Sequence, residues 1–113
     1  MLLGRAGERA AADYLRGRGF SVVDRNWTCR AGELDLVARR GNLVVFCEVK
    51  TRSTDAFGPP AAAVGWAKQK KLRRLAAAWL QENKPGGVEV RFDVISVVVR
   101  GGRAELTHIP GAF

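Results

Sequence analysis

A chain of 113 residues is long enough for one hydrophobic core and too short for two, so a single domain is expected. Lys and Arg outnumber Asp and Glu by 19 to 11, giving a net charge of +8 and an isoelectric point near 10.5; this balance favours a polyanionic partner, because each neutralised phosphate releases condensed counterions, although it also serves solubility. No apolar run approaches the roughly 20 residues of a membrane span, and Met1-Leu2-Leu3 is too short for a signal-peptide core, so a cytoplasmic protein with no membrane association is expected.

In chain order, residues 5–18 read as a helix ended by Gly17 and Gly19. At about 100° per residue, Gly4, Ala11, Ala12, Tyr14 and Leu15 form an apolar arc, with Arg5, Arg9, Asp13 and Arg16 opposite. Glu8 falls inside that arc. A carboxylate there either finds a partner or a metal, or complements the helix dipole from the first turn. Residues 20–23 predict a short strand and 24–31 a polar connection. Arg25, Trp27 and Arg30 within it mix cations with an aromatic, a set that can grip phosphates and stack on a base. Such a Trp also commonly caps the edge of a core.

Residues 32–50 form the centre of the pattern. Two β-branched, period-two runs meet at Gly41-Asn42, a dipeptide suited to a two-residue hairpin turn. With that turn, facing residue numbers sum to a constant, so Asp35 lies opposite Glu48 and Glu33 opposite Lys50, all four on one face. The same face continues through Val37, Val44 and Phe46, so it is apolar at the turn end and charged only at the open end. Leu34, Leu36 and Ala38 are expected against Leu43, Val45, Cys47 and Val49 on the other face. A three-residue loop would split the carboxylates between faces. Charges bordering buried surface need a compensating cation, and a hard ion such as Mg²⁺ fits two carboxylates plus a backbone carbonyl. The alternative is ordinary strand alternation with outward charges and a weak surface pair.

Residues 51–60, with Gly58-Pro59-Pro60, predict an ordered loop leaving the charged end of the hairpin. Residues 61–83 predict a second helix, with Val64, Ala67, Lys68, Leu72, Leu75, Ala76, Trp79 and Leu80 at three- and four-residue spacing. Lys70, Arg73 and Arg74 mark its exposed side, either as phosphate contacts or as a plain solvated face. Lys84-Pro85-Gly86-Gly87 stops it. Residues 88–100 read as a strand covered on both faces and turn at Gly101-Gly102 into a last strand over 103–109. Arg91 and Asp93 share a face as an ion pair, and His108 stands alone as a bystander. Cys29 and Cys47 lack metal or disulfide spacing and read as reduced, small apolar residues. The order α, three strands, α, two strands predicts an α/β sandwich with helices packed on a mixed sheet.

Asp35 with Glu48-Val49-Lys50, after a helix carrying Glu8, resembles the active-site pattern of the PD-(D/E)xK nuclease superfamily. More closely, Gly7-Glu8, Asn26, Gly32-Glu33-Leu34-Asp35-Leu36, Phe46-Cys47-Glu48-Val49-Lys50-Thr51-Arg52 and Arg91-Phe92-Asp93 resemble the motif series of the YraN-like family of predicted endonucleases, usually grouped with archaeal Holliday-junction resolvases. Asp35 is preceded by Leu34 where the superfamily's name has proline, and Trp27-Thr28-Cys29 follows Asn26 where a further basic residue is expected.

The resemblance implies a restriction-endonuclease-like three-layer sandwich of order αβββαββ. It implies a Mg²⁺- or Mn²⁺-dependent DNA endonuclease acting on branched or otherwise structured DNA in repair or recombination, with a homodimer as one possible assembly. Asp35 and Glu48 become metal ligands, the Val49 carbonyl a third, and Glu8 a candidate for a second metal or a metal-bound water. Lys50 becomes the residue that orients the attacking water, and Arg25, Trp27, Arg30, Arg52, Lys70, Arg73 and Arg74 the nucleic-acid contacts. The alternative is a nucleic-acid-binding module that keeps the fold without turnover, though such a binder gains nothing from two anions facing DNA.

Overall fold

A computed structural model describes residues 2–53 and 64–113. The order is α1 (Leu2–Gly17), β1 (Ser21–Cys29), β2 (Gly32–Arg40), β3 (Leu43–Arg52), α2 (Trp66–Asn83), β4 (Glu89–Arg100) and β5 (Arg103–Ile109). The strands form one sheet in the order β1-β2-β3-β4-β5. Every neighbouring pair is antiparallel except β3 and β4, because α2 carries the chain across the sheet between them and lets β4 run the same way as β3.

The helices cover opposite faces. Ala11, Ala12 and Leu15 of α1 pack with Leu36, Ala38, Val45, Cys47, Ile95 and Val97. Leu72, Leu75, Ala76 and Trp79 of α2 pack with Leu34, Val37, Val44, Phe46, Phe92 and Val94. The continuous apolarity of β4 is thereby explained: Val94 serves one layer while Ile95 and Val97 serve the other. This is the αβββαββ three-layer α/β sandwich with a mixed central sheet, consistent with a restriction-endonuclease-like fold. Among the described residues no helix is long and apolar enough to cross a membrane.

The hairpin turn has the expected parity. Gly41 adopts φ +60°, and the ladder runs from Arg40 opposite Leu43 to Leu36 opposite Cys47. Beyond that point it opens. Glu33 pairs with Thr28 of β1 on one side, and on the other the expected pair with Lys50 is not part of the ladder, which ends at Leu36 and Cys47. Leu34 also departs from simple alternation, for it packs in the α2 layer while Leu36 and Ala38 pack in the α1 layer. The cause lies across the ladder. Arg25 pairs with Leu36 and Trp27 with Leu34, and Asn26 between them takes the left-handed φ of +52°, which Asn tolerates better than most residues. Both strands change face at this one level, Asn26 on β1 and Asp35 on β2.

Several boundaries move. Residues 24–29, expected as a connection, continue β1, with a further irregularity between Val22 and Asp24; a polar edge strand needs no apolar run to be held by its ladder. The first helix begins at Leu2 rather than residue 5, and Thr51 and Arg52 finish β3 rather than open a loop. The second helix begins at Trp66, because Gly65 is extended (φ −62°, ψ 158°); residues 61–63 and the loop over 54–60 lie outside the described residues. Val64 is nonetheless buried in the α2 layer. Gly4, placed in the apolar arc of α1, is exposed. At the far end Lys84 caps α2 in left-handed backbone (φ 44°), its N–H bonding the Leu80 carbonyl, and Pro85 prevents continuation.

Candidate active site

The opening of the hairpin is where the charged residues gather. With the β2–β3 ladder ended, the Val49 N–H donates to Asp35 Oδ2 at 2.8 Å. Asp35 is half-buried, and burial, with the negative charges of Glu48 and Glu8, outweighs the Val49 hydrogen bond and pushes its pKa up to about 7. Two or more carboxylates in a partly dry pocket disfavour one another's ionisation. Glu48 does have a cation: Lys68 Nζ lies 3.3 Å from its Oε2. Lys68 stood in the apolar stripe of the second helix, and a lysine at core spacing is the sequence signal that it reaches inward to an anion.

Among the described residues no group of three or more His, Cys, Asp or Glu side chains is arranged to hold a metal. Asp35 and Glu48 thus form a pair, and Glu8 acts on Asp35 through charge without completing a three-ligand cluster. A carboxylate pair with open positions suits Mg²⁺, which keeps waters and substrate oxygens in its shell, and does not suit a closed protein cage. Lys50 and Arg52 follow Glu48 at alternate positions of β3, both half-buried. The Nε and Nη2 atoms of Arg52 are buried and have no hydrogen-bond partner among the described residues.

Glu8 is brought near by its neighbour. Gly7 is buried against Thr51 at the end of β3. A Cβ at Gly7 would collide with Thr51 Oγ1 and lie 2.8 Å from Cγ2 and 2.9 Å from Cβ, and the last of these cannot be relieved by rotating the side chain. Gly7→Ala is therefore expected to push α1 off β3 and to cost about 2 kcal/mol by overpacking, read as a lower urea midpoint at unchanged slope.

The remaining basic residues are dispersed. Arg25 and Arg30 are exposed on and just after β1, and Lys70, Arg73 and Arg74 are exposed on α2. Arg73 is stacked over Phe92 at 4.9 Å and Phe113 at 5.4 Å from the ring centroids. Trp27 packs at the edge of the α2 layer, its indole N–H donating to Glu82 at 3.3 Å, so its ring is committed to the core edge rather than free for a base. Cys29 and Cys47 are free thiols, and burial pushes that of Cys47 well up.

A second polar cluster was only half legible. Arg91 makes the expected pair with Asp93, through two hydrogen bonds of 2.8 Å. His108 is no bystander: its Nε2 lies 2.7 Å from Asp93 Oδ2 and its Nδ1 3.0 Å from the Tyr14 hydroxyl. Gly111 N–H adds a fourth contact to the fully buried Asp93, at 3.0 Å. An ionised carboxylate only accepts, so in the neutral ring Nε2 carries the proton and Nδ1 accepts from Tyr14. The cluster joins α1, β4, β5 and the C-terminal turn.

Comparison with known proteins identifies the sequence family. A family model described as "Uncharacterised protein family UPF0102" matches residues 7–97. A UPF0102 protein of Myxococcus xanthus is 53% identical over 110 residues, 97% of this chain and 87% of the relative. One from Beutenbergia cavernae is 52% identical over 110 residues, covering 96% of this chain and 93% of the relative. Another from Mycolicibacterium vanbaalenii is 50% identical over 110 residues, covering 96% and 91% respectively. The match takes in both candidate carboxylates, Lys50 and the Arg91–Asp93 pair, and the chain belongs to the UPF0102 family.

Proposed function

We propose that the chain is a divalent-metal-dependent DNA endonuclease of the PD-(D/E)xK superfamily, related to the archaeal Holliday-junction resolvases and acting on branched or otherwise structured DNA. The observation that carries the reading is the Asp35–Glu48 pair at the mouth of the hairpin, with Lys50 two residues on along β3. The +8 charge suits a polyanionic substrate. Asp35, Glu48 and the Val49 carbonyl would hold a Mg²⁺ or Mn²⁺ ion, which would supply Lewis acidity toward a phosphoryl oxygen and acidify water. Lys50 holds the attacking water and offsets charge growing on the phosphate. The Val49 N–H fixes the rotamer of Asp35 through their hydrogen bond. Lys68 balances Glu48. That pair also favours a second reading, a non-catalytic nucleic-acid-binding module, because it gives Glu48 a resident counterion without any metal.

Thermal unfolding with and without Mg²⁺ separates the two. Bound metal stabilises by linkage, about 2.7 kcal/mol at a hundredfold excess over Kd, and the melting temperature of the wild type should rise by several degrees. Asp35→Asn and Glu48→Gln should abolish the rise. Asp35→Asn should also stabilise the metal-free chain at neutral pH, for the following reason. The folded pKa of Asp35 is raised to about 7, above the ordinary carboxylate value near 4, so its ionisation costs stability as pH climbs between those values. An unchanged metal response in both variants excludes the site.

A further inference from the structure

We propose that Trp66 is a stacking platform for an unpaired nucleobase, which makes the preferred substrate DNA with a single-stranded segment crossing the start of α2. The inference rests on the nuclease reading for the identity of the polymer and on independent geometry for the rest. Two of the three tryptophans are built into the fold. Trp79 is buried with its N–H on Asp24 Oδ2 at 2.9 Å, and Trp27 packs at the core edge with its N–H on Glu82. Trp66 is 74% exposed, and the Lys70 ammonium lies over its ring, 5.9 Å from the centroid.

Helix geometry sets what surrounds it. At 3.6 residues per turn, Trp66, Lys70 and Arg73 lie within roughly 60° of one another, with Arg74 at the margin. Leu72, Leu75 and Trp79 take the other side, where they are buried. The outer ridge of α2 is thus an aromatic followed by three exposed cations, over roughly 12 Å at 1.5 Å per residue. Lys68, from the same first turn, reaches the other way to Glu48 at 3.3 Å. The turn that presents Trp66 to solvent is therefore tied on its inner side to the candidate carboxylates. A strand whose phosphates run along Lys70 and Arg74, beside the Arg73 guanidinium held over Phe92 and Phe113, brings a base over the indole. Stacking accepts any base because each has a π face, but a base paired in a continuous duplex is already stacked on its neighbours and is not available.

The test uses the full chain without divalent metal, so that nothing is cut. Indole fluorescence and affinity are followed while a single-stranded oligothymidylate, or a blunt duplex with the same number of phosphates, is titrated in. For Trp66→Ala the expected result is loss of the quench and binding to the oligothymidylate weakened by about tenfold, with duplex binding changed by less than about twofold. Trp66→Phe should recover most of the single-strand affinity. Equal loss on both nucleic acids, or no loss on either, overturns the proposal. So does sedimentation in which Trp66→Ala dissociates an oligomer while oligothymidylate binding stays intact, since the indole then covers a second copy of the chain. With metal restored, the two readings part: a wild type that cleaves while Trp66→Ala matches it on every substrate removes the platform alone. A Trp66 effect on binding without any metal-dependent cleavage removes the nuclease reading alone.

Discussion

Lys50→Ala is expected to fold, to keep its metal-induced rise in melting temperature and its DNA affinity, and to cleave on the order of 10²-fold more slowly or worse. Lys50 is half-buried near the end of β3, two residues beyond Glu48. In the proposed chemistry it is not a metal ligand: it holds the nucleophilic water and meets charge that is present only as the phosphate approaches its transition state. An interaction made only there lowers kcat and kcat/KM together and leaves ground-state binding alone. Lys50→Arg should not restore the rate, because a planar guanidinium neither fits a compact ammonium's place nor gives up a proton near neutral pH. Single-turnover cleavage of labelled branched and linear DNAs provides the measurement. If the alanine variant instead loses affinity and keeps its single-turnover rate, Lys50 is a phosphate clamp.

The largest effect on stability is expected at Asp93, well away from Lys50 in function. Asp93→Ala leaves the Arg91 fork, the His108 ring and the Gly111 N–H without their shared acceptor. Breaking a buried ion pair from one side costs about 3 kcal/mol or more, which in a chain of this size lowers the melting temperature by more than about 10 °C. The pH dependence identifies charge as the cause. Burial by itself raises the Asp93 pKa, but the Arg91 fork, the Gly111 N–H and His108 outweigh it and hold the carboxyl below its ordinary range. A depressed folded pKa means that the stabilisation is fully present above the unfolded value near 4 and fades as pH falls through the lower folded value. Denaturant unfolding of wild type and Asp93→Ala should therefore converge in acid. A gap that stays constant with pH assigns the loss to packing.

The parts of this molecule legible in its sequence are those governed by local rules. A glycine at positive φ in a two-residue turn set the parity of the central hairpin, and parity placed Asp35 and Glu48 together. The apolar spacing of the second helix named Leu72, Leu75, Ala76 and Trp79, all of them buried. What escaped depends on elements meeting from afar. Tyr14 and His108 are 94 residues apart, and no periodicity links them. The face change at Asn26 and Asp35 defeated an alternation argument that was correct from Leu36 to Ala38, because one left-handed residue on the neighbouring strand reverses the count. β1 was legible only at its start, over residues 20–23, and its continuation to Cys29 was hidden for the converse reason: those residues pair through their backbones, and their side chains carry little apolar signal. Lys68 was visible as a misfit and was counted as part of the stripe it interrupts.

The same kink at Asn26 bears on solubility in a crowded solution. β1 is one of the two outer strands of the sheet, and an outer strand leaves a row of backbone donors and acceptors facing water, a template on which another chain can add itself. Such templating requires a straight stretch of several residues. Here the register slips between Val22 and Asp24, and the backbone turns left-handed at Asn26, so no more than two or three consecutive residues present a regular rim. Arg25 and Arg30 set like charges along it, which repel a second copy of the same edge. The distortion that directs Leu34 to one layer and Leu36 to the other thereby also hinders addition of a further strand at the β1 edge. A variant that straightened β1 by replacing Asn26 with a β-branched residue would leave the slip at Val22 and Asp24 but join residues 24–29 into one regular border more open to fibrous growth.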